Sequence, residues 1–337
     1  MLRNCPSRRA VVSGILVGCL GLPLDRIAQA AAQDDTKSKA ANQQASAMTP
    51  TEQLLHSTVQ IVCETTPSNL SFGTGFFFSL FPQGGQNVPV IVTNKHVVAG
   101  ANVGHFKLTM QKDDGSPDLQ NFIDVSVPNF PTKWIPHPDP AVDLTIMPCA
   151  GLLQELTGQG KKPFLITLDP PLVPTDAELA DLTPLEDILV VGYPNGISDN
   201  AHNIPVFRRG ITATPVYIDF QNRQEFLIDA AIFPGSSGSP VFLFNQGTYA
   251  TRAGVTNIGT RIKLLGIVHA VMLNSVSGDI AIVPAPTQAR AVVNSQVPNN
   301  LGVCLRASRV LEFEKILVQN GFVPPAGYKI RADPSQP

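Results

Sequence analysis

The chain has 337 residues, of which 43% are hydrophobic and 15% are charged, and its formal net charge is −2. This composition predicts a globular protein rather than a disordered one, and the near-neutral charge excludes a global field that would attract nucleic acid. The 30 prolines and 26 glycines favour many short strands and turns, so an all-β class is expected.

The first 30 residues have the pattern of an export signal. Three arginines precede an apolar run at 10–24, and a small-x-small cleavage site ends at Ala30. We therefore expect an exported protein, either periplasmic or extracellular. Two alternatives stay open: Ser7-Arg8-Arg9 resembles a twin-arginine signal, and a lipoprotein signal would leave Cys19 lipidated as a membrane anchor. Residues 31–50 are polar without apolar periodicity, which predicts a flexible linker.

Three cysteines follow the signal: Cys63, Cys149 and Cys304. Because the number is odd, one of them must stay free or pair with another molecule. They have no C-x-x-C spacing and no flanking histidines, so we expect neither a metal nor a cofactor. At least one is expected to be a buried, small apolar side chain.

The pattern from about 57 to 150 predicts a first series of short strands. Apolar and polar residues alternate at 58–62, and a β-branched run occupies 89–93. Further strands are expected at His105–Gln111, Phe122–Val127 and Asp143–Met147. Residues 151–186 then predict a connection that contains two short helices, at Leu152–Leu156 and Thr175–Leu182.

A second series of strands is predicted from about 187 to 287, with strands at Ile188–Gly192, Gln224–Asp229, Pro240–Phe244 and Ile262–Val271. A helix is expected at 308–321, with Ser308 as its N-cap. The folded domain therefore spans 51–323, and 324–337 form an irregular tail.

A turn with nucleophile chemistry lies in the second series. Glycines flank Ser237 in the segment Phe233–Pro240, which runs into an apolar strand. Such a turn exposes a serine hydroxyl, and the N–H groups of Gly235 and Ser237 would donate to a developing oxyanion. The alternative is an ordinary turn between two strands.

Two further residues fit this chemistry. His96 ends a buried strand, and Asp143 enters another, where a carboxylate is costly unless it is paired. Orienting an imidazole is such a pairing, and the order His, Asp, Ser is the one found in chymotrypsin-like enzymes. Asp139 is a rival for the acid, but it lies between prolines in a loop, so we favour Asp143.

Five spaced segments resemble the bacterial trypsin-like peptidases, including the high-temperature-requirement and glutamyl-endopeptidase groups: Gly73–Phe76, Thr93–Val98, Asp143-Leu144, Gly192–Gly196 and Asp229–Pro240. The resemblance covers about 51 to 287. It implies two six-stranded antiparallel barrels, with His96 and Asp143 from the first barrel and Ser237 from the second. Ser236 and Ser239 depart from the family pattern. About fifty residues follow the second barrel, too few for a peptide-binding C-terminal domain.

The resemblance also places a substrate pocket. Its base would be Ala231, and one wall would include His269, Ala270 and Val271. Ala231 has no charge to pair with lysine or arginine, and His269 is one residue out of register with the histidine of glutamyl endopeptidases. We expect a small or medium apolar side chain before the scissile bond.

The sequence therefore predicts a serine endopeptidase that acts on protein or peptide substrates through the Ser237–His96–Asp143 triad. The alternative is a catalytically inactive pseudo-protease that serves as a binding module in the envelope. A third reading is an esterase or another acyl transferase on the same fold. No feature indicates an oligomeric state.

Overall fold

The computed structural model describes residues 22–23, 48–66, 69–279 and 292–331, with backbone alone for 22–23, 273–279 and 292–299. The predicted cleavage site at Ala30, the lipidation site at Cys19 and most of the predicted linker lie outside the described residues, as does the tail from 332. No helix in the described part of the chain is long and apolar enough to cross a membrane.

The N-terminal half is organised around one antiparallel sheet. The strands in this half of the chain are β1 (Leu22–Pro23), β2 (Thr58–Thr66), β3 (Asn69–Gln83), β4 (Gln86–Thr93), β5 (Val103–Gln111), β6 (Pro117–Pro128), β7 (Ile135–Pro136), β8 (Thr145–Pro148) and β9 (Ile166–Thr167). Its helices are α1 (Pro50–Leu55), α2 (Lys95–Val98), α3 (Ala150–Gly158) and α4 (Asp176–Ala180). Seven strands form the sheet in the order β6-β5-β2-β3-β4-β8-β7, while β1 pairs with β9.

The C-terminal half is a closed six-stranded barrel. Its strands are β10 (Asp187–Gly192), β11 (Val206–Thr212), β12 (Glu225–Asp229), β13 (Pro240–Ala250), β14 (Thr256–Asp279) and β15 (Val292–Arg306). They follow the order β10-β11-β12-β15-β14-β13, and pairing of β10 with β13 closes the barrel. Helices α5 (Ser308–Leu311) and α6 (Phe313–Gln319) come after the barrel.

The prediction of an all-β protein is confirmed, and the two predicted six-stranded barrels correspond to two antiparallel strand units, a seven-stranded sheet and a closed six-stranded barrel. The first unit has seven strands rather than six, because the two-residue strand β7 extends its edge. The second unit was predicted to end near 287, which is wrong, since β15 completes the barrel through Arg306. Asparagines and Pro298 in β15 weaken the apolar alternation that would have predicted a strand there.

Three consecutive phenylalanines show how the two units pack together. Phe76 and Phe78 point to one face of β3 and join a core shared with the barrel strand β10 and the C-terminal helices. Phe77 points to the other face, into the core of the N-terminal sheet. Because successive side chains alternate across a strand, a strand that is buried on both faces needs apolar residues at every position. The shared core fixes the two units against each other, which positions the cleft between them.

The C-terminal helix differs from its prediction in two respects. It is divided at Glu312 into α5 and α6, and Ala307, not Ser308, occupies the N-cap. The division coincides with a contact between the Glu312 carboxylate and the buried His137, whose Nε2 lies 2.9 Å from Oε2 of Glu312. This contact joins the C-terminal helices to the loop that leads into Asp143.

Candidate active site

The predicted His–Asp pair is formed at the edge of the cleft. Nδ1 of His96 lies 2.5 Å from Oδ2 of Asp143, and Oδ1 of Asp143 accepts the backbone N–H of His96 at 3.2 Å. His96 is in α2, directly after strand β4, and Asp143 precedes β8, which pairs with β4. The pairing of β4 and β8 therefore brings together two residues that are 47 positions apart in the chain.

Asp143 is held in its charged form. Burial, the largest single influence, raises its pKa, but the hydrogen bonds and charge of His96 lower the pKa overall. The side-chain amide of Asn94 donates to the backbone carbonyl of Asp143 at 2.7 Å and fixes its position. The rival acid, Asp139, faces Arg309 instead, with 3.5 Å between its Oδ2 and Nη2 of the arginine. The geometry thus favours Asp143 as the partner of His96.

Ser237 lies in two consecutive tight turns. Ser236 N–H donates to Phe233 O at 3.0 Å, and Ser239 N–H donates to Ser236 O at 2.9 Å. In each turn the third residue is a glycine, Gly235 or Gly238, with φ of +85°. A turn of this type requires a positive φ at that position, and glycine adopts it without steric cost. The sequence GSSGS therefore places Ser237 between two sharp changes of direction, with its side chain half-exposed.

Contacts from both units hold this turn in place. On one side, Thr74 N–H donates to Ser237 O at 2.9 Å, and Thr74 Oγ1 donates to Gly235 O at 3.0 Å. On the other side, Gly238 N–H donates to Val268 O of β14 at 2.8 Å. Thr93, at the end of β4 and three residues before His96, donates its hydroxyl to Thr74 O at 2.7 Å. The turn that carries Ser237 is thereby connected to the strand that positions His96.

The N–H groups of Gly235 and Ser237 in this turn are not used in backbone hydrogen bonds among the described residues. Pro234 O accepts the N–H of Asn195 at 2.5 Å. Because the C=O and N–H of a trans peptide point in opposite directions, the N–H of Gly235 points away from Asn195. In the described part of the chain, neither Gly235 N–H nor Ser237 N–H donates to a backbone carbonyl. These are the two donors that the sequence analysis assigned to an oxyanion hole.

Comparison with known proteins identifies the family of this chain. A family model described as a trypsin-like peptidase domain matches residues 73–249, which is more than half of the chain. The chain belongs to the trypsin-like peptidase family. The matched region contains all three predicted triad residues, so family membership rests on the segment that forms the site. No curated protein matches this peptidase.

Three solved protease structures are similar to the peptidase. The HtrA-type protease AlgW with tripeptide is 18% identical, with 80% of this chain and 62% of that chain covered and a TM-score of 0.39. The Rv3671c protease from M. tuberculosis is 21% identical, with 81% and 85% covered and a TM-score of 0.36. The tobacco etch virus protease complexed with product is 13% identical, with 83% and 84% covered and a TM-score of 0.41. The peptidase therefore spans less than two thirds of the AlgW chain.

The predicted pocket residues of the peptidase lie on two segments. Ala231 is exposed just after β12, and Ala270 and Val271 are exposed and half-buried on β14. The backbone of β14 also contacts the nucleophile turn, through Val268 and Gly238. The wall that was predicted on β14 therefore adjoins Ser237.

His269 of the predicted pocket wall lies beside a buried carboxylate. It is at a β-bulge between Val268 and Ala270, and its Nε2 is 3.4 Å from Oε1 of the buried Glu225. Burial lowers the pKa of His269 to about 4, and the charges of Asp143 and His96 also act on it. Its ring is therefore neutral at physiological pH and belongs to the surroundings of Asp143.

The sequence analysis missed two residues that support the nucleophile turn. Ser236 is fully buried, and its hydroxyl accepts a hydrogen bond at 2.7 Å from Nη1 of Arg208 on β11. The same Nη1 also donates to Ala231 O at 2.8 Å. A signal was present, because Arg208 and Arg209 are adjacent in a strand and one of two neighbouring residues must face inward.

The three cysteines that the structure describes are packed in its interior. Cys63, Cys149 and Cys304 are all buried, and no disulfide joins any two of them. Burial raises the pKa of the Cys63 thiol to about 12, and its Sγ donates to Val97 O at 3.2 Å. Among the described residues, no group of three or more His, Cys, Asp or Glu side chains is placed to hold a metal ion.

Proposed function

We propose that this peptidase is an exported serine endopeptidase that hydrolyses peptide bonds through an acyl-enzyme intermediate. The observation that supports the proposal most directly is the pairing of His96 with Asp143 on a strand that is connected to the turn of Ser237. In this proposal Ser237 is the nucleophile, His96 the general base and Asp143 the residue that orients the base.

The contact of His96 with Asp143 supports its proposed role as general base. An ionised carboxylate can only accept hydrogen bonds, so Nδ1 of His96 carries the proton and Nε2 keeps its lone pair. Nε2 can then accept the proton of the Ser237 hydroxyl as its oxygen attacks the substrate carbonyl. The negative Asp143 stabilises the imidazolium that forms, and this imidazolium returns the proton to the leaving amine.

The turn supplies the second part of the mechanism. When the serine oxygen attacks, the carbonyl oxygen gains negative charge, which the N–H groups of Gly235 and Ser237 would stabilise. Loss of one such donor costs about 10²- to 10³-fold in rate in enzymes of this kind. Collapse of the intermediate expels the amine and leaves Ser237 acylated, and water activated by His96 then releases the acid product.

We also propose that the pocket accepts a small or medium apolar side chain before the scissile bond. Ala231, at the predicted base of the pocket, carries no charge that could pair with lysine or arginine. Cleavage of a peptide library tests this preference, with the positions of cut bonds identified by mass spectrometry. A profile dominated by glutamate, lysine or arginine at that position would contradict it.

The experiment that tests the catalytic proposal is labelling with a fluorophosphonate, which reacts with activated serines. The purified chain without residues 1–30 is labelled and digested, and the modified peptide is mapped. We expect one adduct, on Ser237, that is absent in His96→Ala and Ser237→Ala and is formed at least about 10³-fold more slowly in Asp143→Asn.

A matched control is available in the same chain. His202 and Asp199 form another exposed pair, with 2.7 Å between Nδ1 and Oδ2, so His202→Ala removes a similar contact away from α2. This variant should be labelled at the wild-type rate. Absence of the Ser237 adduct in a folded wild-type protein would instead favour the pseudo-protease, in which the domain acts as a binding module.

Export is proposed from residues 1–30, with cleavage after Ala30. Expression of the full chain in a bacterial host, followed by fractionation and mass determination of the mature protein, tests this step. A mature chain that begins at Ala31 supports the proposal. A mass that includes a diacylglyceryl group on Cys19 would show the lipoprotein alternative, and an uncleaved cytoplasmic chain would contradict export.

A further inference from the structure

Arg208 carries a charge that the proposed mechanism does not use. Its side chain is only 9% exposed, and its Nε and Nη2 atoms have no hydrogen-bond partner among the described residues. Burial lowers its pKa to about 10, so the guanidinium stays protonated at neutral pH. A buried cation that finds no carboxylate partner among the described residues is costly, so its contacts must offset that cost.

The two contacts of Arg208 are both at the nucleophile turn. Nη1 donates to the hydroxyl of Ser236, the residue between the two predicted oxyanion donors, and to the carbonyl of Ala231, at the predicted base of the pocket. The Ser236 hydroxyl in turn accepts the N–H of Phe233 at 3.3 Å. One guanidinium nitrogen therefore fastens both ends of the segment 231–236, in which Gly235 has a positive φ.

We propose that Arg208 is a positioning residue that holds the nucleophile turn in the conformation that presents the N–H groups of Gly235 and Ser237 to substrate. The role rests on the proposed function, because it assigns Arg208 to the oxyanion hole of that reaction. Arg208 does not touch the reacting atoms. It acts through Ser236, whose C=O is in the same peptide unit as the Ser237 N–H and whose own N–H closes the turn that contains Gly235.

An arginine suits this role for a geometric reason. Its planar guanidinium carries several N–H groups in fixed directions, and Nη1 has two hydrogens that reach two acceptors at once. A lysine at the same place offers an ammonium on a flexible stem, so it should replace the contacts only in part. A methionine has a similar length but no donor, so it should release both Ser236 and Ala231.

The first test measures reaction rate and fold together. Arg208→Met, Arg208→Lys and the control Arg209→Met are labelled with a fluorophosphonate at a temperature where circular dichroism shows all of them folded. Arg209 is the adjacent residue, its side chain is 75% exposed, and its Nη2 lies 3.4 Å from Oδ1 of the exposed Asp187. We expect the second-order labelling rate to fall about 10- to 100-fold in Arg208→Met, less than this in Arg208→Lys, and not at all in Arg209→Met. On an activated ester, kcat should fall and KM should stay unchanged.

The second test reports on the turn without catalysis. Hydrogen–deuterium exchange of a peptide that spans 233–239 follows the N–H groups of Ser236 and Ser239, which are hydrogen-bonded within the two turns. We expect their exchange in Arg208→Met to be on the order of tenfold faster than in the wild type or in Arg209→Met.

The two measurements separate failure of this inference from failure of the proposed function. If the wild type is labelled and Arg208→Met reacts equally fast, the positioning role is wrong although the protease is real. If the wild type is not labelled, the proposed function is wrong, and exchange alone decides the role of Arg208 in the turn. Unchanged exchange in Arg208→Met would then overturn that role as well.

Discussion

Substitution of Gly238 by alanine tests how tightly the nucleophile turn is packed. Gly238 follows Ser237 and has φ of +85°. A Cβ at this position would overlap the carbonyl oxygen of Thr74 and would lie 2.5 Å from Oγ1 of Thr93. Neither atom can withdraw easily, because one is backbone and both are joined by a hydrogen bond between the strands that flank the site.

The expected cost is the sum of three contributions. The left-handed conformation destabilises the alanine variant by about 1 to 2 kcal/mol. The lower conformational entropy of its unfolded chain stabilises it by about 0.4 to 1 kcal/mol. Overlap with packed neighbours adds about 1 to 3 kcal/mol. Gly84 serves as the matched control, because its φ is +58° but no atom lies within 4 Å of its Cβ position. Gly84→Ala has only the first two contributions, so Gly238→Ala should be less stable by about 1 to 3 kcal/mol than Gly84→Ala.

Urea unfolding and fluorophosphonate labelling measure the two consequences. We expect a lower unfolding midpoint for Gly238→Ala than for Gly84→Ala, together with a labelling rate reduced by about tenfold or more, since the added methyl group moves the turn away from Thr74. If the two variants are equally stable and react at the same rate, the turn is not constrained by these contacts and the reasoning from its geometry fails.

Two other buried groups give predictions of stability. Burial lowers the pKa of His56 to about 4, so between pH 6.5 and 4 the unfolded chain binds a proton that the folded chain does not. The free energy of unfolding should therefore fall by on the order of 3 kcal/mol as the pH is lowered across this range. Urea unfolding at several pH values should show a smaller fall of this free energy in His56→Leu than in the wild type. The fully buried Glu314 accepts from Tyr328 Oη and Arg331 Nη1, both at 2.6 Å, and from the buried Phe81 N–H at 3.2 Å. Water can reach Arg331, which is 33% exposed, but not the Phe81 N–H, so Glu314→Ala should lower the free energy of unfolding by about 1 to 3 kcal/mol. The exposed Glu155→Ala is its control, and equal midpoints would contradict the assigned role of Glu314.

The residues of the candidate site could be predicted because their chemistry leaves local signals. A histidine at the end of a β-branched run, an aspartate at the entrance of an apolar strand and a serine between glycines are each readable from neighbouring positions. The structure brings His96 and Asp143 together because β4 pairs with β8, a pairing that two apolar runs allow but do not specify. Asp143 was favoured over Asp139 for a similarly local reason, because Asp143 enters an apolar strand whereas Asp139 lies between prolines in a loop.

Supporting contacts left no such signal. Arg208 binds a backbone carbonyl and a hydroxyl more than twenty positions away, and a carbonyl is present at every residue, so the sequence cannot identify the acceptor. Strand β15 was missed for a related reason. Its partners β12 and β14 hold it through backbone hydrogen bonds, which asparagine and most other residues can form, whereas sequence patterns report mainly on side chains.

The residues that hold the nucleophile turn indicate whether the peptidase needs proteolytic activation. The nucleophile turn is held by Thr74, Asn195, Arg208 and Val268, all of which lie inside the folded chain. Among the described residues this set is complete without an α-amino group, so we expect that no cleavage to create a new N-terminus is required for reactivity. We therefore expect a chain that begins at Ala31 and one with a Gly-Ser extension before Ala31 to be labelled at the same rate. A severalfold slower reaction of the extended chain, reversed by proteolytic removal of the extension, would show that a free N-terminus shapes the site.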